Sequence, residues 1–217
     1  MLQHVYERAV QSRYVSNVVI ATDDRRIFDA ARSFGAPVRM TRDDHHSGTD
    51  RVAEVASAES AQVVVNIQGD EPLLDPAAID AAALALINDP EVVMSTLSKR
   101  IEDPREINDP NVVKVVTDRT GDALYFSRHG IPFGRDGAAA HFKHIGLYVY
   151  RREFLLAYSG LPVGPLEQAE RLEQLRALEN GYRIRVVETD YESFGVDTSE
   201  DLEKVARLLE PAYMRSE

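Results

Sequence analysis

Hydrophobic positions along the chain change period several times, and each change marks an element. Leu2, Val5, Tyr6, Ala9 and Val10 recur at helical spacing, which predicts a helix over 1–12. Val18 to Ala21 form a short strand, closed by Thr22-Asp23-Asp24. A second helix runs from Arg25 to Phe34, with Gly35 just past its cap. A strand over 37–40, a polar loop over 41–48 and a helix over 49–59 follow. Val63-Val64-Val65-Asn66-Ile67 reads as a strand buried on both faces of a parallel sheet. Periodicity alone leaves a buried helix open there, but the run is short and Gly69 and Pro72 punctuate its end. Asp75-Pro76 supplies an N-cap and an N1 proline for a helix to about Ile87. Strands and helices in this alternation predict a doubly wound, mostly parallel α/β sheet with right-handed crossovers.

The rhythm changes after Asn88-Asp89-Pro90. Strands are expected over 91–98, 112–117 and 123–127, the last two joined as a hairpin through Asp118-Arg119-Thr120-Gly121-Asp122. This is an additional antiparallel region. A loop over 134–141, a strand over 145–150 and a short helix over 152–158 come next. Pro165 opens a longer helix that ends at Asn180-Gly181, and 183–188 is a strand. Thr198-x-x-Asp201 resembles a capping box for a last helix over 199–210. No linker divides the chain, so one domain over 1–217 is expected. A doubly wound sheet normally opens on a strand, and this chain opens on a helix.

Composition narrows the chemistry. The net charge is -11, which argues against nonspecific nucleic-acid binding, so an anionic substrate needs local arginines and lysines or a metal. There is no cysteine, which excludes disulfides, thiolate catalysis and cysteine-ligated zinc. No apolar run reaches membrane-spanning length and no signal-peptide pattern opens the chain, so a cytoplasmic protein is expected.

Polar residues crowd the ends of the apolar runs, where open α/β sheets bind ligands. Asp70, after Gln68-Gly69, offers a hard oxygen ligand of the kind Mg²⁺ takes; an N-cap or a surface acid stays equally open. Thr41 to Arg51 puts hydroxyls and a glycine at a helix start, suited to anions or polar base edges. His45 and His46 are adjacent, point apart and make a poor metal pair. Asp197 follows Phe194-Gly195-Val196 and could share a metal with Asp70 if their strands are neighbours; otherwise it is a helix-start acid. Arg128, His144 and Tyr148 suit an acidic, hydroxylated ligand.

In order, Thr41-Arg-Asp-Asp-His-His-Ser-Gly-Thr-Asp-Arg51, Asn66-Ile-Gln-Gly-Asp-Glu-Pro72, Leu124-Tyr-Phe-Ser-Arg128, Lys143-His-Ile-Gly-Leu-Tyr148, Leu172-Glu-Gln-Leu-Arg176 and Gly195-Val-Asp-Thr198 resemble the 3-deoxy-manno-octulosonate (KDO) cytidylyltransferases, or CMP-KDO synthetases. The resemblance runs from about Leu2 to about Leu208. It implies a nucleotidyltransferase-like, Rossmann-like fold and an enzyme that joins CTP and KDO into CMP-KDO and pyrophosphate, for lipopolysaccharide biosynthesis. It implies Mg²⁺ on Asp70 and Asp197, which are also the catalytic acids. It sets Thr41, Arg42, Ser47, Gly48 and Gln68 around the nucleotide. Arg128, His144, Tyr148, Glu173 and Gln174 go around the sugar acid. It implies a homodimer, with strands of 91–127 and the helix near 151–159 as the interface. Related sialic-acid cytidylyltransferases match less well, and a cytidylyltransferase for another acidic sugar or a noncatalytic binding homologue are the alternatives. Family members open with a strand and a basic Gly-Pro-bearing loop for the triphosphate. The motifs here pick up just after that loop, and the expectation is that the 217-residue chain as written is inactive or nearly so.

Overall fold

Short polar side chains start the helices where the sequence puts them. The computed structural model describes residues 1–137, 139–196 and 198–209. Its elements run α1 (Leu2–Ala9), β1 (Ile20–Thr22), α2 (Arg25–Ser33), β2 (Val38–Met40), α3 (Gly48–Ser57), β3 (Val63–Asn66), α4 (Pro76–Asn88) and β4 (Met94–Arg100). Then come β5 (Lys114–Thr117), β6 (Ala123–Ser127), β7 (Phe142–Arg151), α5 (Arg152–Tyr158), α6 (Pro165–Glu170), α7 (Leu175–Glu179), β8 (Ile184–Glu188) and α8 (Ser199–Leu209). The side chains of Asp24, Ser47 and Asp75 accept backbone N–H groups of the first turns of α2, α3 and α4. Gly35, at φ 79, closes α2: its N–H reaches Arg32 O at 3.1 Å and the Ala36 N–H reaches Ala31 O at 3.1 Å. Thr198 and Asp201 cap α8 reciprocally, at 3.0 and 3.2 Å.

β1 and β2 form a parallel pair of their own. The second sheet has six strands in the order β6-β5-β7-β4-β8, with β3 on the other part of β7. β4 and β8 are parallel, whereas β7 runs against β3, β4 and β5. Among the described residues no pairing joins β1 to β3; α3 packs on both. The fold is thus α/β with a mixed sheet, the antiparallel part being the β5–β6 hairpin and β7. One face is covered by α4, whose Ile79, Ala82 and Leu86 meet Leu97 and Val149. The other is covered by α3, α5, α7 and the hairpin around Phe126, Tyr150, Phe154 and Leu175. No helix among the described residues is long and apolar enough to cross a membrane.

Several boundaries differ from the sequence reading; of the three largest differences, two come from partners far along the chain and one from a local turn. The first helix ends at Ala9 rather than 12, because the Asp80 carboxylate takes Ser12 Oγ at 2.6 Å and the N–H groups of Arg13 and Tyr14 at 2.8 and 3.3 Å. β4 begins at Met94 rather than 91, since Asp89 accepts the Glu91 N–H and holds a turn. The single helix expected from Pro165 is two, broken where Arg171 takes a left-handed φ of 52. A non-glycine residue there carries strain. Carboxylates on both sides of the break hold it: Glu170 bonds to β6 and Glu173 to the start of α3.

Candidate functional site

A β-bulge builds the wall that the sequence reading expects to face the sugar. Along the β4–β7 pair, Thr96 faces Tyr148 and Leu97 faces Ile145, so Gly146 and Leu147 are extra residues in β7. In a regular strand, side chains four residues apart stand roughly 13 Å apart. The bulge brings the His144 and Tyr148 rings to 5.4 Å. Both line a cavity of about 420 Å³, with Gln174, Leu172, Val112, Lys143 and Glu192 among its other walls. Tyr148 Oη donates to Gln174 Oε1 at 3.1 Å.

Thr96 Oγ1 lies 2.8 Å from Leu147 O, 3.1 Å from Ile145 O and 2.8 Å from His144 Nε2. A hydroxyl has one proton and carbonyls only accept, so the pattern assigns the proton of the ring to Nε2 and leaves Nδ1 an acceptor. Burial pushes His144 down to about 3, so the imidazole is neutral near pH 7. Stability follows the same sign. The unfolded chain takes a proton on this histidine below its ordinary 6.5, and the folded chain only near 3. Wild-type protein should therefore lose stability relative to a His144→Gln variant as pH falls from 6.5 towards 3, by on the order of a few kcal/mol. Parallel unfolding curves for the two across that window would contradict the assignment.

The nucleotide-side candidates gather at the start of α3. Ser47 caps that helix, and its Oγ donates to Glu173 Oε1 at 3.1 Å. Thr49 Oγ1 donates to Glu173 Oε2 at 3.2 Å. Burial raises the Glu173 pKa while these two hydroxyls lower it. The Gln68 side chain lies 3.9 Å from where a Cβ on Gly48 would stand, so loop and strand end are adjacent. Thr41 is buried and accepts Arg51 Nη1 at 2.6 Å, while Arg51 Nη2 also pairs with Asp23 at 2.7 Å. Arg42 is exposed, 3.2 Å from Asp44. Glu54 takes its N–H and also the buried His45 ring, which pins the loop to α3. Glu173, expected at the sugar, thus bonds to the nucleotide-side hydroxyls, and its neighbour Gln174 faces the sugar-side cavity.

Asp70 ends the turn after β3 and is half-buried. Among the described residues its carboxylate makes no hydrogen bond or ion pair, whereas Glu71 is taken by Tyr191 at 3.1 Å and Ser193 at 2.8 Å. Val196 N–H donates to Asp70 O at 3.0 Å. Asp197 lies outside the described residues. No group of three metal-binding side chains occurs among the described residues. Magnesium needs only one or two carboxylates beside substrate phosphates, so Asp70 fits that ion.

Arg128 does not line the cavity itself. Its N–H donates to Glu170 Oε2 at 2.9 Å, its Nε to Glu170 O at 2.8 Å and its Nη1 to Pro110 O at 2.9 Å. Its guanidinium makes no direct ion pair among the described residues, and the Glu170 carboxylate acts on its charge from nearby. Sequence reasoning missed Thr96, Thr49 and Glu170. Thr96 was visible as a polar interruption in the apolar run ending at Leu97, and Glu170 as an acid three residues before Glu173.

A family model described as Cytidylyltransferase matches residues 1–185. A protein of Solibacter usitatus named 3-deoxy-manno-octulosonate cytidylyltransferase is 71% identical over 217 residues, covering 99% of this chain and 86% of its own length. A Geobacter sulfurreducens protein of the same name is 56% identical over 221 residues, covering 96% of this chain and 88% of its own. Among solved structures, that of CMP:2-keto-3-deoxy-manno-octonic acid synthetase complexed with CTP superposes with a TM-score of 0.92 at 45% identity, over 95% of this chain and 86% of that one. A Bacillus anthracis glucose-1-phosphate thymidylyltransferase structure, described as putative, shares the fold alone, at a TM-score of 0.65 and 15% identity over 95% of this chain and 81% of that one. Matches of this length and identity, made along almost the entire chain, settle its kinship: the chain belongs to the cytidylyltransferase family.

Proposed function

We propose that the protein activates 3-deoxy-manno-octulosonate with CTP. The anomeric hydroxyl of the sugar acid attacks the α-phosphorus of CTP. The bond from that phosphorus to the bridging oxygen breaks, pyrophosphate leaves with the electron pair, and the hydroxyl proton passes to solvent. The observation that carries this reading is the junction at Glu173 and Gln174. One residue bonds to hydroxyls at the start of α3, and the next bonds to Tyr148 in the cavity wall. A helix start suited to a nucleotide and a cavity suited to a sugar acid therefore share one two-residue wall. The names of the relatives, and the CTP complexed with the synthetase of the solved structure, support the same pair of substrates.

Thr41, Arg42, Ser47, Gly48 and Gln68 serve the nucleotide. Arg128 draws the sugar carboxylate by charge. His144, neutral, and Tyr148 and Gln174 meet sugar hydroxyls. Asp70, with Asp197, would hold Mg²⁺. When bound, that ion neutralises phosphate charge and lowers the pKa of the attacking hydroxyl. Transfer to phosphorus needs positioning and charge compensation more than covalent help, and these residues supply the positioning. The test is pyrophosphate release by the protein with CTP and KDO, with N-acetylneuraminate, and with no sugar. Release that depends on KDO supports the reading; an equal rate with N-acetylneuraminate or without sugar contradicts it.

The protein is expected to work as a homodimer through the strands of 91–127. Leu124 stands 63% exposed on β6, the end strand of the sheet. α5 contributes less, since Phe154, Leu155 and Tyr158 are buried in their own chain, and Leu156 is its one exposed large apolar side chain among the described residues. Light scattering at micromolar concentration should return twice the chain mass, and a monomer would refute the assembly.

A further inference from the structure

Lys114 is fully buried, yet no carboxylate touches it among the described residues. Its Nζ donates to three backbone carbonyls: Asp109 O at 2.8 Å, Val112 O at 2.5 Å and Arg128 O at 2.6 Å. Three carbonyl acceptors need three N–H donors, so the group is the ammonium and not the amine. Desolvation opposes that charge and lowers its pKa, while Asp109 and Glu170 favour the charge from further off. A buried cation without a contacting counter-charge is costly and asks for a reason.

The carbonyls belong to two functional segments. Residues 109–112 make a turn, in which Asp109 also accepts the Asn111 N–H at 2.8 Å. Its Pro110 carbonyl binds Arg128 Nη1 at 2.9 Å. Asn111, Val112 and Val113 from this segment wall the cavity that His144 and Tyr148 line. Val113 O also takes the His144 N–H at 2.8 Å. The third carbonyl is that of Arg128 itself. One ammonium therefore ties the cavity wall to the backbone of the arginine, and two cations with carbonyl partners stand side by side.

We propose that Lys114 is a positioning residue for the acidic end of the sugar: it fixes the 109–112 turn against Arg128 and adds its own positive charge behind that wall. The inference rests on the proposed reaction. Its substrate-level consequence is selective, because the hydrogen bonds of Lys114 go to Asp109, Val112 and Arg128 and none goes to α3 or the loop before it. The Lys114→Met variant fills the same volume without charge or donors. It should raise the KM for KDO by about tenfold or more, and leave the KM for CTP within about twofold. A purely structural lysine would lower thermal stability and leave the ratio of the two KM values unchanged. Val115→Ala, a buried neighbour with no polar role, serves as the control for destabilisation alone. Should Lys114→Met fail to fold, Asn111→Asp carries the test. Asn111 is exposed, and a negative charge on the same turn should raise the KM for KDO several-fold with the KM for CTP unchanged. Wild-type turnover separates the two ideas. No KDO-dependent turnover in wild type defeats the reaction. Turnover with unchanged KM ratios in the folded variants defeats the role of Lys114.

Discussion

Replacing Asp70 with asparagine should lower kcat by about a thousandfold with the fold intact, the equivalent of several kcal/mol of lost charge stabilisation. The substitution keeps the shape of the side chain and removes its charge. Nothing structural depends on that charge among the described residues. The carboxylate makes no hydrogen bond or ion pair there, and the turn is held instead by the Asp70 carbonyl and by Glu71. Tm should therefore change little. A half-buried acid that the fold does not use, at the end of a strand beside an exposed glycine, is what a reaction that handles phosphates needs. Raising Mg²⁺ should restore at most a small part of the rate. Near-normal activity of Asp70→Asn at saturating Mg²⁺ would remove Asp70 from the chemistry.

The second large effect belongs to the sugar. Arg128→Ala should raise the KM for KDO by about ten- to a hundredfold, since a charge-assisted hydrogen bond contributes about 1.5–3 kcal/mol. His144→Ala should act on KDO also, but less, because the imidazole is neutral and offers an acceptor rather than a charge. The KM for CTP should stay nearly constant in both. The physical ground is separation. Arg128 bonds to Glu170 and Pro110, and His144 to Thr96, whereas the start of α3 bonds to Glu173. An effect confined to CTP in either variant would reverse the assignment of the two sides. A pH dependence of the KM for KDO with an ionisation near 6.5 that vanishes in His144→Ala would instead contradict the neutral imidazole, since that histidine does not titrate there in the folded protein.

Features set by neighbours in sequence were legible. Asp24, Ser47, Asp75 and Thr198 cap helices that begin where their patterns start, and Gly35 ends α2 in a left-handed turn. Such devices act within one turn of chain, so local residues suffice to reveal them. Of the residues that line the cavity, His144 and Tyr148 were legible as polar residues of a strand, whereas Arg128, read with them, stands outside its walls. What stayed hidden depends on partners far along the chain. The β7 bulge exists opposite Thr96, about fifty residues upstream, and its sequence Ile145-Gly146-Leu147 reads as an ordinary strand. The break at Arg171 has no local signal, because the pull on each side comes from β6 and α3. An antiparallel region was legible from the hairpin, but the place of β7 was hidden for the same reason: strand order follows from which strands meet, and β7 inserts between β3 and β4.

The central claim is the bond that is made. The protein, given CTP labelled at the α-phosphorus, KDO and Mg²⁺, should yield a product in which the labelled phosphorus joins cytidine to the anomeric oxygen of KDO, in one-to-one yield with pyrophosphate. Phosphorus NMR and mass spectrometry of the isolated product read this directly. A label recovered only in free CMP, or on a sugar other than KDO when both are offered, would contradict the account.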